Sequence, residues 1–210
     1  MSETVENFEF SSKLDEAYAR RVRRIVNFGL KRVCGLRIKG QQFLPEEGPF
    51  IVASGHTSNI DPFAIGVSVL KHQFMHFPAK RELANTKLID LEKCGAYYLD
   101  RGDKKERNDA YQQSLGILEA GGIVCIFPTG TRVPNMASAT VDNMKNGTAR
   151  LSMDLGVPII PANVNIESRR NKKIPPKSIE VNFGEQFTFD SSIELPEANA
   201  YLLHKIHELM

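Results

Sequence analysis

Two stretches of this 210-residue chain hold residue types able to move a proton and to grip an anion. The first reads Ser54-Gly55-His56-Thr57-Ser58-Asn59-Ile60-Asp61-Pro62, with a histidine five positions before an aspartate. Five residues of continuous helix turn through about 500°, which separates the two side chains, so they meet only if the chain bends between them. Gly55 and the Thr-Ser-Asn run permit that bend. An aspartate accepting from one ring nitrogen fixes the imidazole tautomer and leaves the other nitrogen free to take a proton. Taken alone, the pair equally describes a loop histidine beside a capping aspartate. Neither Ser54 nor Ser58 lies in a G-x-S-x-G elbow, so a basic His56 would activate a hydroxyl of the substrate itself.

The second stretch, Phe127-Pro128-Thr129-Gly130-Thr131-Arg132, combines a tight Pro/Gly turn with two threonines and a guanidinium. Hydroxyls, backbone amides and a planar fork suit a phosphate. It is not a P-loop, because the G-x-x-x-x-G-K-[ST] spacing is absent. Two further cations, Lys80 and Arg101, close strand-like runs. Each one alone reads as a solvated surface residue. Four such loops following four parallel strands would gather at one rim.

The elements that must do this positioning are legible as apolar runs. Strands are predicted at Phe50–Ser54, Phe74–Ala79, Ala96–Arg101, Ile123–Phe127, Val157–Val164 and Ser178–Phe183. Between them lie helical patterns: one capped by Asp61 with Pro62 at its first position, one from about Glu106 to Ala120 ending at Gly121-Gly122, one bearing Met144, Thr148, Leu151 and Leu155, and a last one bearing Ala198, Leu202, Ile206 and Leu209. This alternation predicts an α/β fold, a largely parallel sheet flanked by helices, with ligands bound in loops beyond the strand ends.

Ahead of that unit, the charge is uneven. Residues 17–39 carry eight bases (Arg20, Arg21, Arg23, Arg24, Lys31, Arg32, Arg37, Lys39) and no acid, whereas residues 1–16 carry five acids and one base. Tyr18, Val22, Ile25, Val26, Gly29 and Val33 recur at helical spacing within the basic segment. A basic amphipathic helix of this kind suits an anionic membrane surface. Its alternative is a helix docked on the core with a solvated basic face. Aromatic residues are not interleaved with the arginines as base stacking requires, so nucleic acid is not an expected partner. The expected division is therefore an acidic tail and membrane-contacting helix over residues 1–39, with Arg20, Arg21, Arg23, Arg24, Lys31 and Arg32 facing lipid, and an α/β domain over residues 40–210.

Composition excludes several classes. With 41% apolar and 25% charged residues the chain is neither collagen-like nor disordered. Its longest run of apolar residues and glycine, Ala120 to Phe127, falls far short of the roughly 20 needed to span a bilayer. The first residues lack the basic and apolar regions of a secretion signal. Cys34, Cys94 and Cys125 match no zinc spacing and fit free thiols in a reducing cytosol. No metal is expected, since His72, His76, His204 and His207 lack partner ligands at suitable spacing. Cys94 beside Lys93 offers a rival acyl-thioenzyme chemistry, although no histidine adjoins it in sequence.

Four blocks, in order, resemble those of bacterial 1-acyl-sn-glycerol-3-phosphate acyltransferases. His56 to Asp61 is similar to the family's H-x-x-x-x-D, Gly95 to Arg101 to its second block, Phe127 to Arg132 to F-P-E-G-T-R, and Val157 to Pro161 to its fourth. Similarity extends to Ala79–Leu83, Lys145–Ala149 and Asn182–Glu185, covering residues 40–187. The resemblance implies a glycerolipid acyltransferase-like fold with His56 as general base and Asp61 as its orienting carboxylate. It also implies that Lys80, Arg101 and Arg132, helped by Thr129, Gly130 and Thr131, hold the acceptor's phosphate. Implied substrates are lysophosphatidic acid and an acyl thioester on coenzyme A or acyl carrier protein, with no cofactor, at the cytoplasmic face of the membrane. Thr129 departs from the pattern, standing where the family usually has glutamate. That exchange leaves open another glycerophosphate or lyso-lipid acceptor, or a non-catalytic lipid-binding relative.

Overall fold

The computed structural model describes residues 13–85, 88–100, 102–169 and 174–210. Helix α1 (Glu16–Cys34) begins where the Asp15 carboxylate accepts from the Tyr18 amide and ends at Gly35, whose φ of 55° takes the left-handed conformation that favours glycine. The strands that follow are β1 (Arg37–Lys39), β2 (Phe50–Ser54), β3 (Met75–Lys80), β4 (Ala96–Leu99), β5 (Ile123–Ile126), β6 (Ile159–Glu167) and β7 (Ser178–Phe183). Interleaved with them are α2 (Asp61–Ser68), α3 (Lys104–Glu119) and α4 (Gly147–Leu155), and α5 (Leu195–His207) closes the chain.

The sheet runs β1-β7-β6-β2-β5-β3-β4. Every neighbouring pair is parallel except β6 and β7, which form an antiparallel hairpin. Crossovers through α2 (β2 to β3) and α3 (β4 to β5) suit this parallel arrangement, which brings the C-terminal ends of β2, β3, β4 and β5 to one rim. Strand β2 shows why both sheet faces must be covered: Phe50 and Val52 pack with Ala64, Ile65, Leu30 and Cys34, whereas Ile51 and Ala53 pack with Ile117, Leu151, Leu202 and Ile206. Side chains alternate with a period of two, so α1 and α2 cover one face and α3, α4 and α5 the other.

Phe50–Ser54 and Ser178–Phe183 form strands over the predicted residues, and the other predicted strands shift at their ends by one to three positions. The sheet, however, starts before residue 40. Arg37, Ile38 and Lys39 pair with Glu180, Val181 and Asn182, and the Glu180 carboxylate receives both Arg37 (3.3 Å) and Lys39 (2.9 Å). The predicted boundary at residue 39 thus cuts the edge strand from its sheet. Two cations in a three-residue strand hide it from any apolar pattern. The second difference is at α2, whose first residue is Asp61 itself, preceded by Ile60 as cap. Its carboxylate turns back into the loop rather than capping the helix.

Candidate active site

Strand β2 leads directly into the histidine loop. Gly55 is buried there under the side chains of Asn163, Met136 and Ile206, and an added Cβ would come within 2.6 Å of Asn163 Oδ1. Only glycine lets the chain turn at this point without displacing the core. His56 then points its Nδ1 at Asp61 Oδ2, 2.9 Å away, and the same oxygen accepts the amides of Thr57 and Ser58 at 2.7 Å each. Asp61 is fully buried and His56 nearly so. An ionised carboxylate only accepts, so the proton lies on Nδ1 and Nε2 keeps its lone pair. Among the described residues nothing bonds to Nε2. The imidazole also lies against Phe127, with ring centroids 4.1 Å apart and planes at 24°. This aromatic face is a partner that spacing alone did not reveal. A protonated ring there gains a cation–π contact worth about 0.5–2 kcal/mol.

The second loop is fastened to the first. Val133, next after Arg132, donates its amide to the His56 carbonyl at 2.8 Å. Within the turn, the Gly130 amide donates to Phe127 O at 2.8 Å, and Gly130 adopts φ 68°. The Thr129 hydroxyl donates to Thr131 O at 2.7 Å, and the residue is 3% exposed. The Thr129 hydroxyl and the Gly130 amide are therefore engaged in shaping the turn, where they were expected to help hold a phosphate. Thr131 and Arg132 are exposed on its outer side. Lys80 ends β3 at the same rim and is exposed. Arg101 lies outside the described residues. The Val157–Pro161 block runs into the buried start of β6, and the next residue, Ala162, accepts the Gly55 amide through its carbonyl, so this strand lies beside the histidine loop.

Helix α1 splits its arginines between two tasks. Arg23 is drawn inward, where its guanidinium donates to the carbonyls of Leu70 (3.0 Å), Gln73 (2.9 Å) and Val69 beyond the end of α2. It anchors one helix to another and does not face lipid, contrary to expectation. Arg20 is exposed, pairs with Glu16 at 3.4 Å and lies over the Phe74 ring. The outer face instead presents Arg21, Arg24, Lys31 and Arg32 around Ile25 and Phe28, which are 69% and 72% exposed. Residues 21, 24, 25, 28, 31 and 32 share one side of a helix by their spacing. Ile25 was expected on the apolar face; the inward residues are Ala19, Leu30 and Cys34. No helix among the described residues is long and apolar enough to cross a membrane.

The cysteines and remaining histidines serve the fold. Burial, with Asp90 nearby, pushes the Cys94 thiol up to about 11, and burial beside Asp61 pushes Cys125 up to about 12. Thiols held protonated are poor nucleophiles, which removes the support for an acyl-cysteine. His72 and His207 bind the carbonyls of Glu46 and Met136, and His204 meets Glu208.

The family model for Acyltransferase matches residues 35–165, from before β1 into β6. The chain belongs to the Acyltransferase family. The matched part holds His56, Asp61 and the Phe127–Arg132 turn, and leaves α1, β7 and α5 outside. Over 130 residues the chain is 29% identical to the 1-acyl-sn-glycerol-3-phosphate acyltransferase of Bacillus subtilis (strain 168), a match covering 61% of each protein. It is 30% identical over 139 residues to the probable 1-acyl-sn-glycerol-3-phosphate acyltransferase of Mycoplasma pneumoniae, covering 61% of this chain and 51% of that one. The chain thus spans between half and two thirds of these curated relatives. The crystal structure of the 1-acyl-sn-glycerophosphate (LPA) acyltransferase PlsC from Thermotoga maritima superposes with a TM-score of 0.66 at 21% identity, covering 92% of this chain and 82% of that one. At that identity the likeness speaks for the acyltransferase fold.

Proposed function

We propose that this protein moves a fatty acyl group from an acyl thioester, on coenzyme A or acyl carrier protein, to the sn-2 hydroxyl of 1-acyl-glycerol-3-phosphate, yielding phosphatidic acid. Arg132 and Lys80, with Arg101, bind the acceptor's phosphate and bring the free hydroxyl to His56. Nε2 removes the hydroxyl proton as the oxygen attacks the thioester carbonyl. Asp61 and the face of Phe127 stabilise the imidazolium. The tetrahedral adduct collapses, the carbon–sulfur bond breaks, and the proton passes from Nε2 to the departing thiolate. Base catalysis of this kind contributes about 10²–10⁴-fold, and the alignment of two bound substrates several kcal/mol more. The scheme calls on no metal or prosthetic group.

The observation that carries this reading is the hydrogen bond from Val133 N to His56 O, which sets a carboxylate-backed imidazole beside the Arg132 turn. The names of the curated relatives support the choice of acceptor. Thr129 in place of a carboxylate favours a second reading, in which the acceptor is a different glycerophosphate or lyso-lipid. Incubation of the purified chain with labelled long-chain acyl thioesters and a panel of acceptors in vesicles distinguishes them. Labelled phosphatidic acid from lysophosphatidic acid is the expected product. Transfer to another acceptor alone selects the second reading, and absence of transfer to all of them leaves a lipid-binding relative.

The outer face of α1 supports a position on an anionic, cytoplasmic membrane surface. Each base near such a surface contributes about 1 kcal/mol. Replacing Arg24 and Lys31 together by Gln is expected to weaken vesicle co-sedimentation by roughly 30-fold at low salt, as the loss of two such contacts requires. Replacing Arg23 by Met is expected to lower Tm while sparing vesicle binding, because its carbonyl contacts are internal.

A further inference from the structure

The anion turn has a neighbour that the blocks of sequence left without a role. Lys145 donates its backbone amide to Pro128 O at 2.8 Å, which fastens the residue before α4 to the turn. Its side chain then lies across Gly130: a Cβ at that position would stand 3.3 Å from Lys145 Cγ and 3.8 Å from Lys145 Cε. Gly130 therefore provides both the left-handed φ and the clearance for the lysine stem. The residue is exposed, and no ion pair among the described residues engages its ammonium. From Phe127 to Val141 the chain contains no Asp or Glu. Local geometry thus lays a flexible cation over a turn without acids, on the stretch that ends in Arg132.

We propose that Lys145 is a binding residue of this turn, contributing with Arg132 a two-cation clamp for a phosphate monoester. Arg132 offers a planar fork for two oxygens, and the lysine a point charge that swings about its stem to meet a third. The clamp also accounts for a turn that works without the carboxylate at 129, since a dianion gains from an unopposed positive field. The proposal rests on the reading that this turn holds the acceptor's phosphate.

Lys145→Met tests it, because the isosteric stem still covers Gly130 and only the charge is lost. Two readouts are needed: inorganic phosphate binding followed by ³¹P NMR, which requires no turnover, and acyl transfer to 1-acyl-glycerol-3-phosphate against phosphate-free 1-acyl-glycerol. Loss of one charge-assisted contact is expected to weaken phosphate binding and to raise the KM for the phosphorylated acceptor by about tenfold each. The phosphate-free acceptor is expected to be unaffected, and Lys145→Arg to restore binding to within about twofold. Unchanged phosphate affinity in Lys145→Met, or no phosphate binding by the unmodified protein, would overturn the clamp. Weakened phosphate binding in a protein without acyl transfer would uphold the clamp and reject the proposed reaction.

Discussion

The histidine loop and the Phe127–Val133 turn meet at one rim yet are built in opposite ways. In the first, the fold holds the catalytic pair in place in advance: Asp61 is fully buried, one oxygen of its carboxylate takes three donors, and the imidazole is stacked on Phe127. In the second, the backbone and the buried Thr129 side chain are fixed, while Arg132 and Lys145 are exposed to solvent. The contrast fits the task proposed for each. A general base needs its lone pair aimed before the substrate arrives, and misplacement costs rate directly. Cations that await a phosphate lose little by staying hydrated until it binds, whereas burying them unpaired would be expensive.

The difference predicts how each region fails. Asp61→Asn keeps an acceptor for the loop amides but removes the charge facing the imidazolium, so kcat is expected to fall by about 10³-fold. Steady-state kinetics should show KM for the acceptor nearly unchanged; a change confined to KM would break the contrast. Arg132→Ala is expected to act in the reverse sense, raising acceptor KM by about tenfold or more with kcat within a few-fold. The smallest effect is expected at Thr129, whose hydroxyl bonds within the turn. Thr129→Val should cost about 1 kcal/mol in thermal or urea unfolding, and Thr129→Ser almost nothing. A large KM effect from Thr129→Val that Thr129→Ser does not share would place that hydroxyl on the substrate instead.

The two regions also differed in how far the sequence disclosed them. His56 and Asp61 are five positions apart, joined by a polar stretch that can only be a bend, so their contact is nearly a local property. Strands β2 and β7 were equally plain, as an apolar run and an apolar alternation. The turn's composition raised the expectation of an anion site, but the division of its donors did not show, because Thr129 and Gly130 bond within the turn only once it has folded. Lys145 lies thirteen positions beyond Arg132 and joins the turn through a backbone contact that no spacing rule encodes. On α1, periodicity identified a helix but not its orientation. Ile25 and Phe28 are apolar yet outward, and Arg23 is charged yet inward, since its guanidinium finds a cluster of carbonyls beyond the end of α2 to donate to. Strand β1 escaped notice because pairing with β7, and not its own residues, makes it a strand.

The central claim is that proton transfer and phosphate binding are separate tasks carried by these two neighbouring loops. His56→Ala tests it most directly, with acyl transfer and inorganic phosphate binding measured on the same preparation. Turnover is expected to drop by about 10²–10⁴-fold while phosphate affinity stays within about twofold. Near-native turnover in that variant, or loss of phosphate binding together with activity in a protein that remains folded, would contradict it.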